Sequence, residues 1–381
     1  MFSSKLENTH LIVLHSIMLK SLVEKLQQIE DYRKPKGKRH QLWVILTVFI
    51  LGTISGFIGY RAIGDFCQYN EKALSKMLKI KSNNLPSYST IRRVISGFDH
   101  HLLESLFNQW SQELIPVHQE QEYFSIDGKS LRNTVTDKYG NQQDFIVFIS
   151  LFNHQNKRVY GLKTFQNKKG SEIPYSQDLI TNSTITNAVF TLDALHCQKE
   201  TTRKIIESDN DYLITVKKNQ KKLYQSIDDV VKHQCSRSSF YDADFSHGRH
   251  ITRKISVYNP PENIDPRWIS IQSVIEVQRE GFRGSKPYQQ TLYYMSSLKE
   301  DAIVFAQKIR EHWSIENNLH WIKDVILKED QSPIKNLNAV INISILKTIA
   351  LNLLRLLDFP SVTKAQRWLY SRLESLFFLL E

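Results

Sequence analysis

Between residues 121 and 217, five short apolar runs alternate with helical segments, and two of the runs lead directly into an aspartate. The runs are Tyr123–Asp127, Phe145–Phe152, Lys157–Phe165, Ala188–Leu192 and Tyr212–Lys217. Their β-branched and aromatic content is that of strands. His154-Gln155-Asn156 supplies a turn between the second and third. Helical spacing marks 171–181 and 198–208. The order strand, strand, strand, helix, strand, helix, strand predicts an α/β fold built on a mixed five-stranded sheet with helices on its faces.

The flanks differ from this centre. A chain of 381 residues fits two or three domains. Residues 1–120 read as a helical N-terminal domain, with helices over 8–31, from 42, over 61–79, along TIRRVISGF behind a turn at 85–89, and over 100–114. Ser87 or Ser89 is placed to cap the TIRRVISGF helix. The uncharged run Leu42–Tyr60 follows the basic KPKGKRH and has the composition of either a membrane span or a buried helix. Its threonines, serine and glycines, and its isolation in the chain, favour the buried helix, so no membrane is expected. Residues 121–217 form the first part of the central domain. Residues 218–300 are basic and then strand-like, which predicts a mostly β insertion. Helical period returns over 301–381, with one helix running from Asp301 past His312 and Trp313 towards Trp321, and a last apolar helix at 338–357. The cysteines Cys67, Cys197 and Cys235 form no CxxC pair and fit a reducing cytoplasm.

Asp127 and Asp193 end the first and fourth strand runs. In α/β sheets, sites form at the carboxyl ends of strands. Two carboxylates held close together repel unless one is protonated or a cation lies between them. Magnesium and manganese prefer carboxylate and water oxygens. The best third carboxylate is Glu316, in REHWSIENNLHWIKDV, with Asp324, Glu329 and Asp330 just downstream. Glu316 and His320 share a helix face at i,i+4, and Lys323 falls near the same side. Such a set suits phosphodiester chemistry, where bound cations activate a nucleophile and offset charge on the phosphate. Fifty Lys and Arg against 39 Asp and Glu give a net charge of +11, which favours a polyanionic partner. Arg92-Arg93 lies in a short helix behind a turn, compatible with a DNA-reading helix or with an ordinary solvated face.

At these motifs the chain resembles the H-repeat-associated family of DDE transposases from bacterial insertion sequences. The resemblance runs along nearly the whole chain: HQLWVILTVFILGTISGFIGYRAIGDF, LPSYSTIRRVISGFD, FSIDGKSLR, TLDALHCQKE with DYLITVKKNQ, HGRHITR, TLYYMSSL, REHWSIENNLHWIKDVILKED and NLNAVINISILKTIALNLL. It implies an RNase H-like catalytic fold interrupted before the helix that carries the last acid. It carries the three catalytic, metal-binding acids onto Asp127, Asp193 and Glu316. It places Lys129, Arg132, Gln198 and Lys199 along the DNA path, and His247, Gly248, Arg249 and Arg253 at phosphates. Two departures stand out. An arginine pair after Glu329-Asp330 is replaced by a run with Ser332 and Lys335, and Lys335 lacks arginine's bidentate fork. An apolar position is Lys323, which is placed to contact DNA. His312 and His320 read as phosphate contacts or packing residues rather than metal ligands. Trp313 and Trp321 read as core, or as a surface for an unpaired base.

The resemblance implies DNA transposition. The enzyme would bind the terminal inverted repeats of an insertion sequence, cut to free 3′ ends, and join those ends to double-stranded target DNA. Mg²⁺ is the implied cofactor, with Mn²⁺ as a substitute. Pairing two ends implies a homodimer or larger assembly on DNA, in a cytoplasmic, nucleoid-associated setting. The same acids would also serve an RNase H-like nuclease without strand transfer. A non-catalytic DNA-binding relic fits less well, because all three acids are intact.

Overall fold

Helix α1 (Leu42–Ile54) buries twelve of its thirteen residues. A helix apolar on every side has to be surrounded, and helices surround it here. The computed structural model describes residues 18–81, 84–115, 121–136, 143–245, 249–283 and 286–371. Residues 18–28 are helical; the earlier part of the helix expected over 8–31 lies outside the described residues. The region continues with α2 (Tyr60–Tyr69), α3 (Glu71–Met77), α4 (Tyr88–Gly97) and α5 (His100–Gln112). Helix α1 stops at Gly56, whose φ of 87° suits glycine. There Gly56 N–H donates to Thr53 O, and Phe57 N–H to Gly52 O at 2.8 Å, the paired bonds of a Schellman end. Gly52 lets α2 approach, since a Cβ at that position would stand 2.6 Å from Ile63. Asp99 caps α5 by accepting from His101 N–H. Ser87 sits at the cap position of α4, but its hydroxyl lies 3.0 Å from Ser89 Oγ and makes no cap bond to the helix backbone.

The sheet holds β1 (Glu122–Ser130), β2 (Ile146–Asn153), β3 (Val159–Gln166), β4 (Ala188–Leu192) and β5 (Asp211–Val216) in the order β3-β2-β1-β4-β5. Strands β1, β4 and β5 are parallel, and β2 and β3 antiparallel. This agrees with the α/β architecture that the resemblance implies. Helices α6 (Glu172–Thr181), α7 (Lys199–Glu207) and α8 (Lys221–His233) follow β3, β4 and β5. The strands expected as an insertion do not stand apart. Strands β6 (Ser238–Asp244), β7 (Arg249–Tyr258), β8 (Ser273–Arg283) and β9 (Lys286–Ser296) form an antiparallel meander. Strand β9 pairs with β5, Leu213 opposite Ser296. The five expected strands therefore continue into one sheet of nine. Helix α9 (Ala302–His312) crosses one face, packing Ala302, Phe305, Ala306 and Ile309 on Val189, Leu213, Ile255 and Val277. The spacing of those four residues is one helix stripe. It delivers the chain from the added strands to β1 and β4.

Helix α10 (Leu337–Leu356) packs on α1, α4, α5 and β3, and α11 (Val362–Tyr370) closes over it. Of the described helices, α10 alone is long and apolar enough to cross a membrane, and 89% of its apolar window is buried inside the fold. Its Asn352 seals part of the outer edge of β3, accepting from Val159 N–H at 2.9 Å and donating to Val159 O at 2.7 Å. Asn108 of α5 does the same for Leu162 at 2.8 and 2.9 Å. Glu104 takes Thr164 N–H at 3.0 Å. Asn352 is fully buried, so N352A strands two backbone groups without water. A loss of about 2–4 kcal/mol is expected in urea unfolding; a loss below about 1 kcal/mol would show that the edge is satisfied some other way.

Candidate metal centre

Strands β1 and β4 run parallel with Ser125 opposite Thr191. Two residues further along each chain stand Asp127 and Asp193, brought side by side by the register. Their carboxylates do different things. Asp193 turns back to accept from Leu195 N–H at 2.9 Å, at the head of a short 3₁₀ turn. Asp127 faces Glu316 and His320, and the three offer ligand atoms all within 4.8 Å of one another. His320 Nδ1 lies 3.5 Å from Asp127 Oδ2 and 3.4 Å from Glu316 Oε2.

The segment after α9 does not continue as an α-helix. Glu316–His320 and Ile322–Ile326 wind as π-helix. Trp321 N–H donates to Glu316 O, and Leu327 N–H to Ile322 O at 2.9 Å. Such turns are rare and gather at functional sites. Here the winding carries both Glu316 and His320.

Below the acids lies a buried layer of hydroxyls and imidazoles. Ser125 Oγ is 2.6 Å from His154 Nε2 and 3.1 Å from Thr191 Oγ1. His312 Nδ1 is 2.9 Å from Thr191 Oγ1. Burial pushes His154 down to about 3 and His312 to about 4, so both are neutral near pH 7. They add no positive charge. Glu172, at the start of α6, adds a negative one. Its carboxylate lies against Gly128, where a Cβ would stand 2.4 Å from Oε2, and its Oε1 is 3.1 Å from His196 Nε2. Burial is the main cause that pushes Asp127 up to about 6. His320 opposes it, while Glu172, Glu316 and Asp193 add to it. Glu316 is held below the usual carboxylate range, chiefly by its hydrogen bond to His320. Two carboxylates and an imidazole around one point fit a divalent cation.

The comparisons with known proteins agree with this geometry. The model described as Transposase DDE domain matches residues 118–353, and that described as DDE_Tnp_1-associated matches 23–111. YncI of Escherichia coli O157:H7, designated a transposase, is 34% identical over 350 residues, 88% of each chain. YbfL and the H repeat-associated YhhI, both of E. coli K12, are each 31% identical over 353 residues, covering 88% of this chain and 90% of theirs. The chain belongs to the H-repeat-associated family of bacterial DDE transposases. Within it, the helical first region and the acid-bearing sheet fall under separate family models, and β6–β9 lie inside the second.

The fold places the residues singled out from the sequence. His320, expected as a phosphate contact or packing residue, stands in the acidic cluster; its i,i+4 spacing from Glu316 was the signal. His312, expected as a phosphate contact or a packing residue, faces Thr191 and Ser125 beneath the acids. Lys323, expected at DNA, is 2% exposed and bonded inside the protein. Lys129 is enclosed by Asp324, Glu329 and Asp330. Arg253 pairs with Asp242 and Asp244, and Lys199 with Asp265. Lys335 donates to Asn133 O at 3.3 Å. Gln198 turns towards Leu195 O and Gln220. Arg92 and Arg93 are exposed on α4, and Arg132 is exposed while pairing with Asp330 at 3.1 Å. His247 and Gly248 lie outside the described residues, as does the Arg249 side chain. Trp313 and Trp321 are 52% and 53% exposed, which removes them from the core. Glu172, His154, Ser125 and Thr191 were not singled out by the sequence, because only the fold brings them to Asp127 and Asp193.

The raised Asp127 carries a sign. Its folded pKa near 6 exceeds its usual 3.8, so the metal-free fold binds a proton more readily than the unfolded chain. Stability of the metal-free protein therefore falls as pH rises from about 4 to 6 and stays lower above. D127N removes that penalty. At pH 7.5 without metal it should be more stable than wild type by about 1–2 kcal/mol, with the gap closing by pH 4. Parallel unfolding curves for both proteins across that range would sink the assignment of the raised carboxyl.

Proposed function

We propose that this protein cleaves phosphodiesters at the terminal inverted repeats of an insertion sequence and joins the freed 3′ ends to target DNA, in a reaction dependent on Mg²⁺ or Mn²⁺. The observation that carries the reading is the convergence of Asp127, Glu316 and His320 on one point, in a chain of this transposase family. Asp127 and Glu316 would hold the cation through oxygen, the donor that magnesium and manganese prefer, with His320 adding a nitrogen beside them. A cation held there lowers the pKa of water or a 3′-hydroxyl and offsets phosphate charge. Asp193 stands on the adjacent strand, and a side-chain rotation off Leu195 N–H would bring a further carboxylate to the group. Exposed Arg92, Arg93 and Arg132 are the side chains we assign to the DNA backbone. Trp313 and Trp321 flank Glu316 at the surface, where aromatic rings can stack on bases. Joining two ends calls for two active sites, hence a homodimer or larger assembly on DNA.

The test uses DNA from either side of the gene, where this reading expects a terminal inverted repeat. D127A and E316Q should each lower metal-dependent cleavage on the order of 10³-fold or more, the scale of losing a metal's several kcal/mol, while retaining binding to the repeat in a mobility-shift assay. Wild-type protein should also join a pre-cut end to plasmid DNA. Cleavage without joining would reduce the activity to a nuclease, and cleavage retained by D127A would overturn the site.

A further inference from the structure

Beyond Asp127, strand β1 reaches Lys129, two residues on and so on the same face of the sheet. Its ammonium donates to Glu329 Oε2 at 2.9 Å and to Asp324, with Asp330 Oδ1 at 3.8 Å. Glu329 is 3% exposed, and its other oxygen lies 3.5 Å from Lys323 Nζ. Lys323 belongs to the second π-helical turn. It donates to Ser344 Oγ at 2.8 Å and Thr348 Oγ1 at 3.1 Å on α10, and packs 3.9 Å over the Phe148 ring of β2. One carboxylate thus ties β1 to the segment bearing Glu316 and His320, and Lys323 ties that segment to α10.

The link falls where the π-helix ends. Lys328 turns the chain with a φ of 50°, and Glu329 N–H donates to Lys323 O at 2.9 Å. Backbone and side chain of Glu329 therefore both fasten the end of the segment. The neighbouring ammonium groups, including that of buried Lys347, hold Glu329 ionised, well below the usual carboxylate range and against the opposing effect of burial. Without it, those buried cations would lack their main counter-charge. Glu329 is not among the side chains that meet at Asp127, so any effect it has there passes through geometry.

We propose that Glu329 is a positioning residue of the metal centre: its bridge from Lys129 to Lys323 sets how closely the π-helical segment approaches β1, and so holds Glu316 and His320 against Asp127. The inference rests on the metal-centre reading above, and the two can be separated by experiment. Mn²⁺ binding to the full-length protein, followed by electron paramagnetic resonance, needs neither DNA nor turnover. Wild type should bind Mn²⁺, and D127N should lose that binding. E329Q should weaken it at least ~10-fold, the scale on which supporting groups tune a metal site, while inverted-repeat binding stays within ~2-fold of wild type. E329Q leaves cations short of a partner, so the E329M/K323M pair is measured beside it. The pair removes both charges, leaves Lys129 its bonds to Asp324 and Asp330, and should be folded by circular dichroism yet bind Mn²⁺ as weakly as E329Q. Wild-type Mn²⁺ affinity in either folded variant overturns the positioning role and leaves the metal centre standing. Absence of Mn²⁺ binding by wild type overturns the metal centre, and the positioning role with it.

Discussion

Helix α10 has no polar face to offer solvent, so the chain has to be assembled around it. Seventeen of its twenty residues are buried. Burying a helix so completely leaves its polar side chains in need of partners, and those partners come from every side. Asn342 donates to Ile95 O and Phe98 O at the end of α4. Asn352 holds the backbone of β3. Ser344 and Thr348 receive Lys323 from the segment that carries the acids. The helical first region, the sheet and the site are thereby referred to one rigid body.

Two carboxylates, a half-buried Asp127 and a buried Glu329, have opposite fates, and the contrast separates their roles. Asp127 lies among other acids, and burial there pushes it up to about 6. Glu329 lies between Lys129 and Lys323, and their charges outweigh the same cost of burial. An acid set among other carboxylates and faced by an imidazole is placed to meet a cation. An acid already paired with ammonium groups belongs to the scaffold. By this measure Glu329 is set apart from the ligand set, Asp324 is engaged by Lys129, and Asp330 is shared between Lys129 and Arg132.

Much of the fold was legible in the chain, because strand and helix periods are local. The runs at 145–152, 157–165 and 188–192 fall within two residues of β2, β3 and β4, and the two strands that lead to acids are neighbours in the sheet. Long-range joins were not legible. Nothing in TLYYMSSL says that it pairs with DYLITV, yet that single ladder turns an insertion into part of the sheet. At the site, Asp127 and Asp193 could be read from strand ends, and Glu316 from the family motif. Charge pairing could not be read. Lys129, Arg253 and Lys323 looked like cations for DNA because their acidic partners lie between 6 and 200 positions away in the chain. His320 was visible at i,i+4 from Glu316, but its place in the cluster depends on a π-winding that no residue spacing announces.

Among the described residues the sheet of nine strands ends in two margins, and they are unequal. The β3 margin has outward backbone groups of Val159, Leu162 and Thr164 taken by Asn352, Asn108 and Glu104, which blunts it as a template for an incoming chain. The β6 margin lies at the opposite end, on a strand whose Asp242 and Asp244 are paired with Arg253. The two ends of the sheet therefore differ in chemistry: backbone groups of β3 are held by amide and carboxylate side chains from the helices, whereas β6 carries an acidic pair answered by the arginine of its neighbouring strand.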